Sequence, residues 1–97
     1  MTSISNERKP MLHILVRHKV SDFTQWKKSY DGHAVRRRAA GLTDVHVFRN
    51  LDDPSEVTLL FAAADLEKAR AFTESDDLRA AMQNAGVTDK PDIYFLS

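Results

Sequence analysis

A chain of 97 residues is long enough for one domain with one hydrophobic core. Its 14 basic and 14 acidic residues cancel, so charge gives no reason to expect nucleic acid or an anionic membrane as a partner. The absence of cysteine excludes disulfides and thiolate metal sites, and no apolar stretch is long enough to span a membrane, so we expect a cytoplasmic protein.

The first half of the chain predicts a strand, a helix and a second strand after a polar tail over residues 1–10. Leu12–Val20 is rich in β-branched and apolar residues and predicts the first strand. A helix follows from Asp22, a candidate N-cap with Gln25 at capping-box spacing, and ends at Gly41. The alternating segment Asp44–Leu51 predicts the second strand.

The second half predicts a hairpin partner, a helical segment and a closing strand, so that the folded domain covers residues 11–97. Pro54 suits the second position of a type I turn that leads into a strand over Glu56–Ala63. A helical pattern begins at Asp65, has a second cap at Ser75, and precedes a last strand over Asp92–Leu96.

The order β-α-β-β-α-β predicts a ferredoxin-like α+β fold, an antiparallel sheet with both helices on one face, because right-handed crossovers put them there. The third strand is apolar at both parities: Val57, Leu59 and Phe61 alternate with Leu60 and Ala62. No further element remains in the chain to cover the second face, so we expect a homodimer in which two sheets pack face to face.

The first helix carries the candidate site. Residues three and four positions apart share one face of a helix. On the first helix that face consists of Phe23, Trp26, Tyr30, His33, Ala34 and Arg37. Because this stripe is aromatic at its start and polar towards its end, it is more typical of a ligand pocket than of a dry core.

Three residues of the stripe are candidate catalytic residues. His33 is a candidate general base or acid because imidazole titrates near neutrality. Tyr30 is a candidate hydrogen-bond donor to a ligand oxygen, and Arg37 a candidate holder of a developing oxyanion. The candidate substrate-binding residues are Phe23, Trp26 and His18.

A structural interpretation of the same residues stays open. In it the stripe only fills the space under the helix, and Arg37 makes a surface ion pair. A cavity of a few hundred Å³ reached by Tyr30 and His33 would favour an enzyme, whereas a closed, dry interior would favour the structural interpretation.

The remaining histidines do not predict a metal site. His13 and His18 have opposite parity on one strand and therefore point to opposite faces of the sheet, and His46 lies on an edge strand. The three glycines are isolated, so there is no glycine-rich phosphate loop. We therefore expect neither a metal nor a cofactor.

Three segments resemble the dimeric α/β-barrel superfamily and, within it, the antibiotic-biosynthesis-monooxygenase-like proteins. They read HILVRHKV-SDFTQW, AAGLTDVHVFRN and EVTLLFAAADLEKARAFTESDDLRAAM, and together they cover nearly the whole chain after the tail. The superfamily includes cofactor-free monooxygenases, haem-degrading enzymes, decarboxylases and isomerases, so the resemblance implies a scaffold and a dimer, and not one reaction. Val16, Phe72 and Met82 stand where haem-degrading members have an asparagine, a tryptophan and the axial histidine, so haem is not expected.

Two functions remain. The first is a small-molecule-binding dimeric α/β-barrel protein of undetermined reaction, with a small aromatic or carbonyl compound as the ligand. The second is a cofactor-independent monooxygenase or isomerase that acts on a small phenolic or carbonyl substrate. The sequence does not decide whether the protein is an enzyme.

Overall fold

The computed structural model describes residues 12–97, and the predicted tail over residues 1–10 lies outside them. In the described part, four strands alternate with two helical segments, each divided into two helices. The elements are β1 Leu12–Lys19, α1 Phe23–Gly32, α2 Ala34–Ala39, β2 Leu42–Arg49, β3 Glu56–Ala63, α3 Leu66–Thr73, α4 Asp76–Asn84 and β4 Asp92–Leu96. No helix in these 86 positions (12 to 97) is long and apolar enough to cross a membrane.

The predicted helix starts are confirmed, because each is made by a side chain that accepts backbone N–H groups. The carboxylate of Asp22 accepts the N–H of Gln25 at 3.2 Å. Asp65 caps α3 in the same manner, and the hydroxyl of Ser75 accepts the N–H of Leu78 to start α4. Each of these contacts joins residues two or three positions apart, so the spacing of residues in the sequence is sufficient to predict it.

The first helical segment is not the single helix predicted over residues 22–41. The regular pattern is interrupted at His33, whose N–H is shared between the carbonyls of Ser29 and Tyr30 at 3.2 and 3.1 Å. Gly32, immediately before the interruption, is a weak helix former, and the space where a Cβ atom would lie is open. A tightened turn therefore separates α1 from α2.

The sheet has the predicted antiparallel ferredoxin-like topology, with strand order β2-β3-β1-β4. The helices cover the side chains on one face of the sheet. Most of the buried side chains on this face belong to the two central strands, β1 and β3. These buried side chains are Ile14, Val16 and His18 of β1 and Val57, Leu59, Phe61 and Ala63 of β3. A register shift between Asp44 and His46 interrupts the pairing of β2 with β3, so the alternation of β2 is not continuous.

The opposite face of the sheet, here called the open sheet face, carries apolar side chains. It consists of Leu15, Phe48, Leu60, Ala62, Tyr94 and Leu96. Leu15 pairs with both Leu60 and Tyr94 at its centre. Phe48, Tyr94 and Leu96 are 49%, 51% and 44% exposed, and no element within residues 12–97 covers them.

The two helical segments cover the inner face of the sheet unequally. Trp26 and Arg37 are buried in the first segment. In the second segment only Ala69 is buried in α3, and α4 has no buried residue. The second segment therefore covers a space beside the core rather than filling it.

Candidate functional site

A cavity of about 80 Å³ lies between the inner face of the sheet and the two helical segments. Its wall is mostly apolar, and both helical segments contribute to it. The lining residues are Ile14, Val16, His18, Trp26, Ser29, Tyr30, His33, Arg37, Leu42, Leu59, Phe61, Phe72, Thr73, Leu78, Ala81, Met82, Ala85 and Ile93. The cavity is smaller than the few hundred Å³ that would favour an enzyme. It is nevertheless a space in the interior, so the closed interior expected for a purely structural stripe is not seen either.

Three buried polar atoms in the wall of this cavity have no hydrogen-bond partner among residues 12–97. They are Nδ1 of His18, the hydroxyl oxygen of Tyr30, and Nε2 of His33. Buried polar groups are almost always paired, and leaving one unpaired costs about 1–3 kcal/mol. Each of these three atoms can form a hydrogen bond with a polar group of a molecule placed in the cavity.

The ring of Tyr30 is held between two flat groups of the first helical segment. The ring of Trp26 stacks on one side with the centroids 5.0 Å apart, and the guanidinium carbon of Arg37 lies 3.6 Å from the centroid. Burial raises the pKa of Tyr30, and the nearby carboxylate of Asp44 adds to this effect while Arg37 opposes it. The hydroxyl therefore stays protonated at neutral pH and can donate a hydrogen bond.

Arg37 is buried, and its donors are already engaged. Nε and Nη2 donate to the two carboxylate oxygens of Asp44 at 3.0 and 3.2 Å, and Nη1 donates to the carbonyl of Tyr30 at 2.6 Å. The sequence predicts Arg37 as a holder of a ligand oxyanion. In the structure these contacts instead join the helix to β2 and fix the ring of Tyr30.

His18 lies near the end of the central strand β1 and is 2% exposed, and its ring is nearly perpendicular to that of Trp26, with the centroids 5.6 Å apart. Burial lowers the pKa of His18, so its imidazole is neutral at pH 7. His33 reaches the same cavity from the turn between α1 and α2. Two imidazoles and one phenol thus face one small space.

The structure brings five of the six predicted site residues to the cavity wall, the exception being Phe23. Phe23 lies behind Trp26, with the two ring centroids 5.6 Å apart, and the guanidinium of Arg49 covers it at 4.1 Å. It therefore supports the Trp26 ring without lining the cavity.

Sequence reasoning missed two contributions to the site. Asp44, which it treated only as the start of a strand, is the partner of Arg37. Phe72 and Met82 were considered only in relation to haem, yet both line the cavity from α3 and α4. A signal for Asp44 does exist, because it follows Arg37 by seven residues across the Gly41 turn.

The three strand histidines lie on the faces and strands that the sequence predicts. His13 and His18 lie on opposite faces of β1, and β3 separates β1 from the strand that carries His46. Residues 12–97 contain no group of three or more histidine, aspartate and glutamate side chains that could hold a metal ion.

Solved structures with the same fold include several proposed antibiotic biosynthesis monooxygenases. The protein from Bordetella bronchiseptica has a TM-score of 0.72 at 15% identity, with 92% of this chain and 97% of that chain covered. The protein from Caulobacter crescentus has a TM-score of 0.68 at 17% identity, with 89% and 87% covered. At such low identity these TM-scores show the ferredoxin-like α+β fold alone and leave the reaction open.

A third similar structure is SnoaB, a cofactor-independent oxygenase from Streptomyces nogalater, in an N63A mutant form. Its TM-score is 0.69 at 11% identity, with 92% of this chain and 93% of that chain covered. No protein-family model matches the chain, and no curated protein matches it either.

The Arg37–Asp44 pair predicts a difference in stability between two aspartate variants. Asp44→Asn leaves the buried guanidinium without its counter-charge, and because Asp44 itself is half exposed we expect a loss of about 1–3 kcal/mol in unfolding free energy. The matched control is Asp77→Asn, whose partner Arg36 is exposed, with an expected loss below about 1 kcal/mol. Urea unfolding followed by circular dichroism measures both, and equal losses would contradict the structural role of Asp44.

The buried His18 predicts a pH dependence of stability. The pKa of His18 is lower in the folded chain than the ordinary value of 6.5, which applies to the unfolded chain. When the pH falls below 6.5, the unfolded chain therefore binds a proton at His18 that the folded chain does not bind, and this favours unfolding. Stability is therefore fully present above that value and declines towards the lowered pKa. His18→Gln should remove this part of the decline, whereas His46→Gln, at an exposed position, should retain it. Unfolding midpoints between about pH 7.5 and 5.5 provide the measurement, and identical profiles for parent and His18→Gln would refute the assignment.

Proposed function

We propose that this protein binds a small, uncharged aromatic compound carrying a hydroxyl or carbonyl group in the cavity beneath its helices. The observation that carries the proposal is the convergence of His18, Tyr30 and His33 on one apolar cavity, where each has a buried atom without a hydrogen-bond partner in the part of the chain that the structure describes. A ligand that pairs these atoms recovers free energy that the empty protein does not.

The wall of the cavity supports an aromatic ligand. Trp26 and Tyr30 present stacked rings, and Phe61 lies 6.5 Å from Tyr30 between the ring centroids. Phe72 completes the wall from the second helical segment. Aromatic side chains around an otherwise aliphatic space favour a flat apolar ring with few polar substituents.

The charges around the cavity support an uncharged ligand. The pKa shifts of His18 and Tyr30 keep both side chains neutral at pH 7. The charge of Arg37 is balanced by Asp44. A carboxylate placed here would lose its hydration without gaining a free counter-charge, so it should bind less well than a phenol of the same shape.

Catalysis without a cofactor is the second candidate function, and the observation that favours it is the Nδ1 atom of His18 in the cavity wall, which has no hydrogen-bond partner within residues 12–97. A neutral imidazole with an unpaired nitrogen can accept a proton from a bound phenol or from a carbon next to a carbonyl. His33 is the other candidate base, with Tyr30 as the donor to the developing oxyanion and Arg37 holding that tyrosine in place. The reaction would be a monooxygenation or an isomerisation, and the similarity to SnoaB agrees with the former.

A homodimer joined through the open sheet face is the second part of the proposal. Phe48, Tyr94 and Leu96 expose apolar surface on one side of the molecule. A contiguous apolar patch of this kind is unusual for a monomer. In a C2 arrangement a second copy of the chain presents the same surface, so the open sheet faces of both copies would be buried.

Light scattering behind a sizing column tests the dimer. At low micromolar concentration we expect about twice the chain mass of 11.0 kDa. Leu60→Glu places a charge at the centre of the open sheet face and should give monomers, whereas Val35→Glu, on the outer surface of α2, should leave the dimer intact. A parent protein that runs as a monomer would rule out the face-to-face arrangement.

Ligand binding is tested with p-cresol, toluene and p-toluate, using the fluorescence of Trp26 and the melting temperature. The parent should bind p-cresol more tightly than either of the others, since only p-cresol pairs the polar atoms without adding charge. Tyr30→Phe should weaken p-cresol binding about tenfold, which corresponds to one lost hydrogen bond of about 1.4 kcal/mol, and leave toluene binding unchanged.

The controls for this experiment separate binding from folding. Tyr94→Phe alters the other tyrosine, which lies on the open sheet face and outside the cavity wall, and should leave p-cresol binding unchanged. Tyr30→Phe and His33→Leu should keep or slightly raise the melting temperature, because neither removes a hydrogen bond made within residues 12–97 by the unpaired atoms. Destabilisation of both variants by about 1–3 kcal/mol, without p-cresol binding by the parent, would favour the structural interpretation.

A further inference from the structure

The cavity is too small for the ligand proposed above unless a wall moves. An enclosed apolar cavity of about 150 Å³ holds one benzene molecule. The cavity here has about 80 Å³. The inference that follows rests on the proposed function in one respect, namely that a ring-sized molecule reaches this space.

Two of the three walls are held firmly. Ile14 and Val57 are fully buried in the central strands of the sheet. The first helical segment is tied to β2 through Arg37 and Asp44. Movement of either wall would expose the core or separate a buried ion pair.

The third wall, formed by α3 and α4, is held weakly. Ala69 is the only buried residue of α3, and α4 has none. Within residues 12–97, the ion pair that joins α4 to α2 is Arg36–Asp77, with 3.0 Å between Nη1 and Oδ2 and side chains 58% and 79% exposed. Exposed ion pairs contribute little to stability, so this contact opens easily.

A groove on the outer surface leads to the same wall. It has about 480 Å³ and is lined by Arg36, Ala39, Ala40, Lys68, Ala71, Phe72, Ser75 and Asp77. Phe72 also lines the cavity, so its ring separates the outer groove from the inner space. Phe72 precedes the break between α3 and α4, where Ser75 starts the next helix.

We propose that the outer groove is the access route to the cavity, with Phe72 as its gate. To admit a molecule, α4 moves away from α2, the Arg36–Asp77 pair opens, and the Phe72 ring turns out of the path. The motion is local because α1, α2 and the sheet keep their contacts. The ligand is then enclosed when the pair closes again.

The chain offers a direct test because it contains no cysteine and one tryptophan, which lines the cavity and is 3% exposed. In the double variant Arg36→Cys with Asp77→Cys, a short bis-maleimide bridges the groove and ties α4 to α2. The matched control, Asp76→Cys with Arg79→Cys, replaces an exposed ion pair within α4 and leaves the groove free. The measured quantity is the rate constant for quenching of Trp26 fluorescence by acrylamide.

We expect the bridge across the groove to lower this rate constant several-fold relative to the same variant capped with a monofunctional maleimide. The bridge within α4 should leave it unchanged, and Phe72→Ala should raise it. The access route would be overturned if the quenching rate constant were the same in the bridged and the capped groove variants. It would also be overturned if the bridge within α4 lowered the rate constant as much as the bridge across the groove. Acrylamide needs no binding site, so failure here is distinguishable from a failure of p-cresol to bind.

Discussion

The buried guanidinium of Arg37 is the constraint on which the site depends. A charge taken out of water must be paired with good geometry, and Asp44 supplies both carboxylate oxygens from the start of β2. The same guanidinium also restrains the first helical segment. It donates a hydrogen bond to the carbonyl of Tyr30 and lies against the ring of that residue. One ion pair thus fixes the helix on the sheet, the stacking of Tyr30, and the position of its hydroxyl.

The unpaired atoms next to this rigid cluster have a thermodynamic cost that a purely structural core would avoid. Phenylalanine in place of Tyr30, or an aliphatic residue in place of His18 or His33, would remove the buried polar atoms that have no hydrogen-bond partner within residues 12–97. Proteins commonly accept such a cost at binding and catalytic sites. The proposal that the aromatic and polar stripe of the first helical segment binds a ligand accounts for this loss of stability.

The sequence predicted what local chemistry determines. Caps at Asp22, Asp65 and Ser75 and the alternation of the strands depend on neighbours in the chain, and the element order then follows from chirality. The interruption at His33 was missed because a glycine within a helix can be either tolerated or disruptive. The place of Phe72 in the cavity wall was missed because it depends on tertiary packing, which periodicity does not encode, and the seven-residue spacing from Arg37 to Asp44 was not used.

Crystal structures at high resolution, with and without saturating p-cresol, test the central claim most directly. The account predicts a ring in the cavity whose oxygen lies within hydrogen-bonding distance of the Tyr30 hydroxyl and of a nitrogen of His18 or His33, with α4 displaced or closed over it. The contradicting result is a set of ordered waters that pairs all three polar atoms in both crystals, with no ring bound. In that case the polar groups would belong to a hydrated core and not to a ligand site.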